Sequence, residues 1–306
     1  MSATGGHTTK RTMMPAPKIS EDLPLDYGHT CMNRFAVLDL RQVRSPTSAR
    51  LAELAKTLCA NPFADDLLII EPSANANADA RMRIIGGDGR EADFCANGLV
   101  YVSGKLGQES GREQVSVETP AGIRAASHRG VEWDAEVGEA SLLDAERQRL
   151  MAGALANRPV LGLIRAGEPH LVLGIPPELP GFHVTRSLFE DYCRPLRDIT
   201  GIAGGVNVTM VFQQTEDSVL IRTFERGVKR HTFSCGTGAV SAIVAVFGIP
   251  TQDRTFNVCS PGGMHSIRYE DGRWHIAARP QRLARGYLSD DTIHLPLASL
   301  MDYRDA

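Results

Sequence analysis

Two cysteines stand at the head of matching runs. Residues 94–107 read FCANGLVYVSGKLG and residues 234–248 read SCGTGAVSAIVAVFG: a cysteine, a glycine three residues on, an apolar stretch and a closing glycine, Gly107 or Gly248. A cysteine just ahead of a helix lies among free backbone N–H groups with partial positive charge, which lower a thiol's pKa and bind a carboxylate. In Cys95-Ala96-Asn97-Gly98 and Cys235-Gly236-Thr237-Gly238 the small residues let a ligand approach the backbone. A cleft holding both would set two thiols and two helix ends around one anion. That arrangement suits inversion of a carbon next to a carboxylate. One thiolate removes the α-proton, a thiol on the opposite face returns a proton, and the helix ends offset charge building on the carboxylate. A thiol's ordinary pKa of about 8.5 lies close enough to neutrality for both protonation states to serve. A single Cys-x-x-Gly is most often a packed thiol under a helix. Its repetition favours chemistry.

The repetition extends beyond the cysteines. Val117-Glu-Thr-Pro-Ala-Gly122 is answered by Val258-Cys-Ser-Pro-Gly-Gly263, and each cysteine follows a strand-like run (Met82–Ile85, Val219–Phe224) and a turn with glycine. Two pseudo-symmetric elements, each strand–turn–Cys–helix–strand–turn–strand, account for this series. Strands are expected at Phe35–Leu40, Leu67–Glu71, Met82–Ile85, Val115–Glu118, Gly122–Ala126, Trp133–Val137, Val160–Ile164, His170–Leu173, Val206–Phe212, Val219–Phe224, Phe256–Cys259, Met264–Tyr269 and Trp274–Ala277. Helices are expected at Ser48–Cys59, Ala96–Leu106, Ala145–Ala154, Leu188–Asp198 and Gly236–Phe247. The fold class is therefore α+β, with each repeat curling its strands around its Cys-initiated helix.

The 306 residues suit two domains of ordinary size. With a formal net charge of −3 and 23% charged residues, no basic face for nucleic acid or anionic lipid stands out. No apolar run approaches the roughly 18 residues of a membrane span. Residues 1–21, rich in Ser, Thr, Gly, Pro and basic residues, lack a signal peptide's apolar core and read as a disordered extension. Six cysteines (31, 59, 95, 193, 235, 259) without an export signal point to reduced thiols and a cytoplasmic protein. None forms a CxxC pair and no histidine lies at zinc-ligand spacing, so no metal site is expected. Gly236-Thr237-Gly238 lacks the third glycine of a dinucleotide fingerprint and the Gly-Lys-Ser/Thr of a P-loop. The sequence leaves the oligomeric state open, a homodimer being the commonest assembly of soluble enzymes.

With those residues in view, the chain resembles the diaminopimelate epimerase family from about residue 25 to its end. The likeness rests on His29-Thr-Cys-Met-Asn33-Arg-Phe35, Asp88-Gly89 leading to Cys95-Ala-Asn-Gly98, Gly167-Glu-Pro-His170, Val206-Asn207-Val208, Glu225-Arg226-Gly227 and Ser234-Cys-Gly-Thr-Gly238. The resemblance implies two similar domains with the active site in the cleft between them. It implies no pyridoxal phosphate, metal or nicotinamide. Cys95 and Cys235 would be the acid–base pair, with His170 and Glu225 nearby to help set their protonation. Backbone N–H groups of Ala96, Asn97, Gly236 and Thr237 would hold the reacting carboxylate, and Glu225 with the carbonyl of Arg226 would lie near the ammonium. It further implies an N-terminal domain of residues 22–131 that takes back the tail, 279–306, and a second domain of residues 132–278.

The departures concern the far end of the substrate. Family members grip a second amino-acid group there with Asn, Gln and Arg side chains, and Asn33, Asn207 and Arg226 fit that pattern. Glu168 stands where the family has asparagine, Asp66 where glutamine is expected, Gly86 for asparagine, Met32 for glycine, Arg34 for aspartate, and Ala96 for the glycine after the cysteine. Acids in place of amides disfavour a distal carboxylate and favour a cationic or hydrogen-bond-donating side chain. The expected substrate is a free amino acid such as histidine, ornithine, lysine or arginine. The alternatives are a genuine diaminopimelate epimerase and a non-catalytic amino-acid-binding protein. A phenazine-biosynthesis type of isomerase, which uses a carboxylate, is argued against by the paired cysteines.

Overall fold

The computed structural model describes residues 22–296 except Asn61, Ala154, Ile199 and Thr200. The extension read at residues 1–21 and the end of the returning tail lie outside the described residues. The chain order begins β1 (Leu23–Thr30), β2 (Asn33–Asp39), α1 (Ser48–Leu58), β3 (Asp66–Glu71), β4 (Ala80–Gly86), β5 (Glu91–Ala92), α2 (Ala96–Ser110), β6 (Gln114–Thr119), β7 (Gly122–Arg129) and β8 (Glu132–Gly138). After β9 (Ser141–Leu142) and α3 (Asp144–Met151) the plan repeats. It runs through β10 (Val160–Ala166), β11 (Glu168–Leu173), α4 (Arg186–Asp198), β12 (Asn207–Gln214), β13 (Ser218–Glu225), β14 (Arg230–Thr232), α5 (Gly236–Phe247), β15 (Arg254–Ser260), β16 (Gly263–Glu270) and β17 (Arg273–Ala278). The described part closes with β18 (Pro280–Ser289) and β19 (Thr292–His294).

Strand pairing makes the duplication explicit. One ladder runs β18-β1-β2-β3-β4-β6-β7-β8, the other β9-β10-β11-β12-β13-β15-β16-β17, with parallel and antiparallel steps at the same places. The two join where β8 pairs antiparallel with β17. Parallel neighbours need a crossover. The four parallel steps are bridged in turn by α1, α2, α4 and α5. Beyond β8 the chain passes to the second ladder as β9, and beyond β17 it returns to the first as β18 beside β1.

Sequence sorts these helices into two layers. α1 buries one stripe (Leu51, Leu54, Ala55, Leu58) and α4 another (Phe189, Cys193, Leu196), as helices with one wet face do. α2 and α5 are buried on nearly every side, including Leu99, Val100 and Val102 of α2 and Ala239, Val240 and Ile243 of α5, so the ladders wrap around them. Their side chains share one continuous core. At about 1.5–3 kcal/mol for each fully buried Val, Leu or Ile, this core dominates the stabilisation of the central layer.

Several boundaries differ from expectation for identifiable reasons. Gly107 does not close α2, which continues to Ser110 and stops at Gly111, φ +67°. A Cβ on Gly107 would lie 2.1 Å from the Trp133 ring, so that glycine admits β8 rather than ending the helix. Gly248, φ +77°, does follow the end of α5. β1 and β18 were not expected as strands. β1 is buried on both faces and shows no alternation, and its Gly28 leaves room for the Tyr101 ring, 2.2 Å from a would-be Cβ. Among the described residues no helix is long and apolar enough to cross a membrane.

Candidate active site

Cys95 and Cys235 occupy equivalent positions. Each is the residue before its helix, extended at φ −140°, ψ 110° and φ −137°, ψ 111° respectively. The two helix starts meet: a Cβ on Gly236 would lie 2.8 Å from the Cβ of Ala96 and 3.1 Å from Asn97 Oδ1. The hairpin turns beside them also touch. A Cβ on Gly262 would fall 2.0 Å from the Cys31 carbonyl oxygen, so only glycine lets the β15–β16 turn lie against the β1–β2 turn. In that turn Cys31 (φ +47°) and Met32 (φ +61°) are both left-handed, the pattern of a two-residue hairpin, just ahead of Asn33.

Between the helix starts lies a cavity of about 610 Å³, in the range of small-molecule sites, about 300–1,000 Å³. Cys95, Cys235, Glu225, Asn33, Asp66, Ala96, Glu168, Asn207, Arg226, Gly236 and Thr237 all line it, together with Phe94, Asp88, Arg90, Arg197, Lys229 and Ile202–Gly205. A second hollow of about 430 Å³, over Gly104, Trp133 and Pro280, contains none of the expected site residues. His170 and Asn97 are the two expected residues that do not reach the cavity. Both lie directly behind it, buried.

A buried layer of hydrogen bonds lies behind the wall. Asn207 Oδ1 accepts from the Arg226 N–H at 2.8 Å, which turns its Nδ2 toward His170 Nε2 at 3.2 Å. His170 Nε2 is therefore an acceptor, and Nδ1–H donates to Thr209 Oγ1 at 2.9 Å. Thr237 Oγ1 is 2.9 Å from His170 Nε2 and 3.5 Å from Cys235 Sγ, so it links the imidazole to the thiol. Burial and the Arg226 charge push His170 down to about 3, which keeps it neutral. Gly238 leaves room for this network: a Cβ there would meet Thr209 and Thr223 Oγ1 at 3.0 Å.

The thiols depart from expectation. Both are pushed well above the ordinary thiol value, chiefly by burial. Asp66 and Glu225 add to this at Cys95, and Glu225 at Cys235. The helix-start N–H groups act in the expected direction, the Gly98 N–H donating to Cys95 Sγ at 3.3 Å, but they do not outweigh desolvation and the acids. At Cys95 the S–H lies 3.9 Å from Asn33 Oδ1. Both sulfurs are therefore held as thiols at neutral pH.

The carboxylates divide into two kinds. Glu168 forms an ion pair with Arg226, whose other nitrogen donates to the Gly205 carbonyl at 3.0 Å. Arg226 is therefore already engaged, and Glu168 is not the unpaired acid its sequence position suggests. Asp65 is held by Arg34 and Arg230. Its neighbour Asp66 has no ion-pair partner among the described residues and lines the cavity. Burial and Asp65 raise Asp66 to about 7, with the Asn33 amide opposing. Glu225, which accepts from Thr232 Oγ1 at 2.5 Å, is raised to about 8 by burial, with Asp66 contributing.

No family model matches the chain. Among curated proteins it is 35% identical over 223 residues to the diaminopimelate epimerase of Chlamydia muridarum, covering 71% of this chain and 79% of the relative. It is 30% identical over 278 residues to that of Methanothrix thermoacetophila, covering 85% and 94%. The chain belongs to the diaminopimelate epimerase family. It is accordingly an isomerase, of the racemase and epimerase kind. Solved structures carry the same fold at lower identity. A hydroxyproline epimerase of Agrobacterium vitis matches with TM-score 0.63 at 16% identity, over 92% of this chain and 96% of that one. A phenazine biosynthesis protein of Bacillus anthracis matches with TM-score 0.60 at 13%, over 88% and 99%.

Beyond the family motifs, sequence reasoning passed over Thr209, Thr232 and His265, which orient the wall from behind. His265 had a signal. It alternates with Ile267 along β16, which places a histidine on an inward-facing position.

Proposed function

We propose that the protein inverts the α-carbon of a free amino acid without a cofactor, by a two-base mechanism in which Cys95 and Cys235 exchange acid and base roles. In this reading the substrate carboxylate sits against the N–H groups of Ala96, Asn97, Gly236 and Thr237, and its ammonium lies near Glu225. A bound ammonium favours the charged forms of Glu225 and of one thiol, whose raised protons are released to solvent as the substrate binds, leaving a thiolate beside Cα. The proton leaves Cα for that thiolate, and the opposite thiol delivers its own to the other face. Carboxylate charge that grows in the transition state is met by fixed N–H dipoles.

The observation that carries the substrate class is the pairing at the far wall. Glu168 occupies Arg226, the cation a distal carboxylate would need, while Asp66 faces the cavity with no ion-pair partner among the described residues, the Arg230 charge that acts on it being paired with Asp65. A side chain bearing positive charge or hydrogen-bond donors, as in ornithine, lysine, arginine or histidine, complements that wall. A second reading, a genuine diaminopimelate epimerase, is favoured by the names of the relatives at 35% and 30% identity.

One screen decides between them. The purified protein is incubated with single L-amino acids and with LL-diaminopimelate in heavy water, and α-proton exchange is followed by NMR. Exchange confined to basic amino acids supports the first reading, and exchange confined to diaminopimelate replaces it with the second. No exchange with any of them defeats both and leaves a binding protein.

A further inference from the structure

Asn97 and Thr237 hold the same place in the two halves, the second residue of a helix opened by a cysteine. Each is met by a buried histidine. His170 Nε2 lies 2.9 Å from Thr237 Oγ1, and His265 Nε2 lies 2.9 Å from Asn97 Oδ1. The two histidines are not copies of one another. His170 is on β11, which matches β2 in the first ladder, whereas His265 is on β16, which matches β7. Two unrelated positions perform one task.

From His265 a chain of hydrogen bonds reaches the sulfur. Asn97 Nδ2 donates to Ser234 Oγ at 3.0 Å and to Asn33 Oδ1 at 3.3 Å, and Asn33 Oδ1 is also the acceptor facing the Cys95 thiol. Asn33 bonds to Asp66 as well, so its orientation affects both the thiol and the cavity acid. With the Asn97 amide donating on one side, its Oδ1 accepts on the other from His265 Nε2–H, which Ser234 Oγ also faces at 3.3 Å. This is the opposite tautomer to His170. The remaining nitrogen, Nδ1, is buried without a hydrogen-bond partner among the described residues. An orphaned buried acceptor is costly. Burial alone pushes His265 down to about 4, which preserves the neutral ring. The link also spans the cleft, from Asn97 of the first ladder to His265 and Ser234 of the second, and Ser234 directly precedes Cys235.

We propose that His265 is a positioning residue for the Cys95 side of the site: its Nε2–H fixes the Asn97 side chain, and through Asn33 it sets the orientation of the Cys95 thiol and the spacing of the two sulfurs. It does not line the cavity and does not touch substrate. The proposal deepens the two-thiol reading and rests on it.

The test uses His265→Leu, which keeps approximate size and loses the donor, and His265→Gln, whose amide N–H reaches a similar place. Racemisation is followed on whichever amino acid shows exchange. The Leu variant should lose at least tenfold in kcat with KM changed less than threefold, and the Gln variant should return to within threefold of the parent. Equal losses in both variants, or none in either, overturn the proposal. A second measurement needs no substrate. In the ¹⁵N-histidine-labelled parent, NMR should show one ring protonated at Nε2 and bare at Nδ1 throughout pH 5–8, absent from the spectrum of any folded His265 variant or identified by its coupling to Asn97. An Nδ1–H or doubly protonated ring at that site overturns the proposal. Should the tautomer be as expected while no amino acid exchanges, the two-thiol reading has failed and the hydrogen-bond geometry stands.

Discussion

Ala96 and Gly236, the first residues of two helices related by the internal duplication, face each other so closely that a Cβ on Gly236 would lie 2.8 Å from that of Ala96. The contact allows one methyl group, and the sequence places it on the first helix. Gly236→Ala should therefore spread the helix starts and the thiols they carry. A misplacement near 1 Å can cost about 10²-fold in rate, and a loss of that order in kcat is expected. Combining Gly236→Ala with Ala96→Gly moves the methyl to the other side and should recover part of the loss. The recovery stays partial because Ile276 also lies 2.8 Å from the added Cβ. Steady-state racemisation of the two variants checks this; an unimpaired single variant contradicts the close approach.

Cys95→Ala and Cys235→Ala should each abolish inversion, since a positioned acid or base typically contributes about 10²–10⁴-fold and both are needed in each turnover. Replacement by serine should leave weak activity or exchange at one face only. Alkylation of Cys95 or Cys235 should inactivate the parent, slowly because both thiols are held protonated, with protection by bound substrate, and peptide mass spectrometry of the inactivated fraction should find the label on one of them. Cys193, on the buried face of α4, should stay unmodified in the folded protein.

Much of this was legible in the sequence because the duplication repeats its signals. The start of α5 at Gly236 and its end at Phe247 follow from the cysteine motif and Gly248. Expected strand cores such as Val219–Phe224 and Trp133–Val137 lie inside the observed β13 and β8. What escaped reading depends on contacts made across the chain. β1 has no alternation because both its faces are covered, and Gly107 looks like a helix stop until Trp133 is seen against it. The Glu168–Arg226 pair joins residues 58 positions apart, so position alone could not show that one acid is neutralised and the other is not. The raised thiols have a similar origin. A helix start is visible in sequence, whereas the desolvation and the acids that outweigh it come from distant strands.

The division between Glu168 and Asp66 predicts a change of specificity. Glu168→Asn releases Arg226 and should raise kcat/KM for substrates with a distal carboxylate by at least about tenfold, the value of roughly 1.4 kcal/mol of selective binding. Asp66→Asn should instead weaken basic substrates, mainly through KM. Parallel kcat/KM measurements on lysine, ornithine and diaminopimelate separate the two effects. Equal losses on every substrate in both variants would mean the acids shape the cavity without selecting the side chain.

The same acids bear on stability, and the sign can be worked out. Asp66 and Glu225 titrate at about 7 and about 8 in the folded protein, above the ordinary 3.8 and 4.5. Between those limits the folded state binds more protons than the unfolded chain, so stability falls as pH rises from about 4 to about 8. Removing the ionisable group removes the penalty. Asp66→Asn and Glu225→Gln should each melt above the parent at pH 8, by roughly 1–2 °C for about 1 kcal/mol in a chain of this size. The gap should narrow toward pH 4, where both acids are protonated in the folded protein. Thermal melts across that range measure it directly. A gap that stays constant with pH would show that the amide acts through packing. A parent that melts higher than both variants at pH 8 would mean these carboxylates are well solvated, and the protonation assigned to them would have to be reversed.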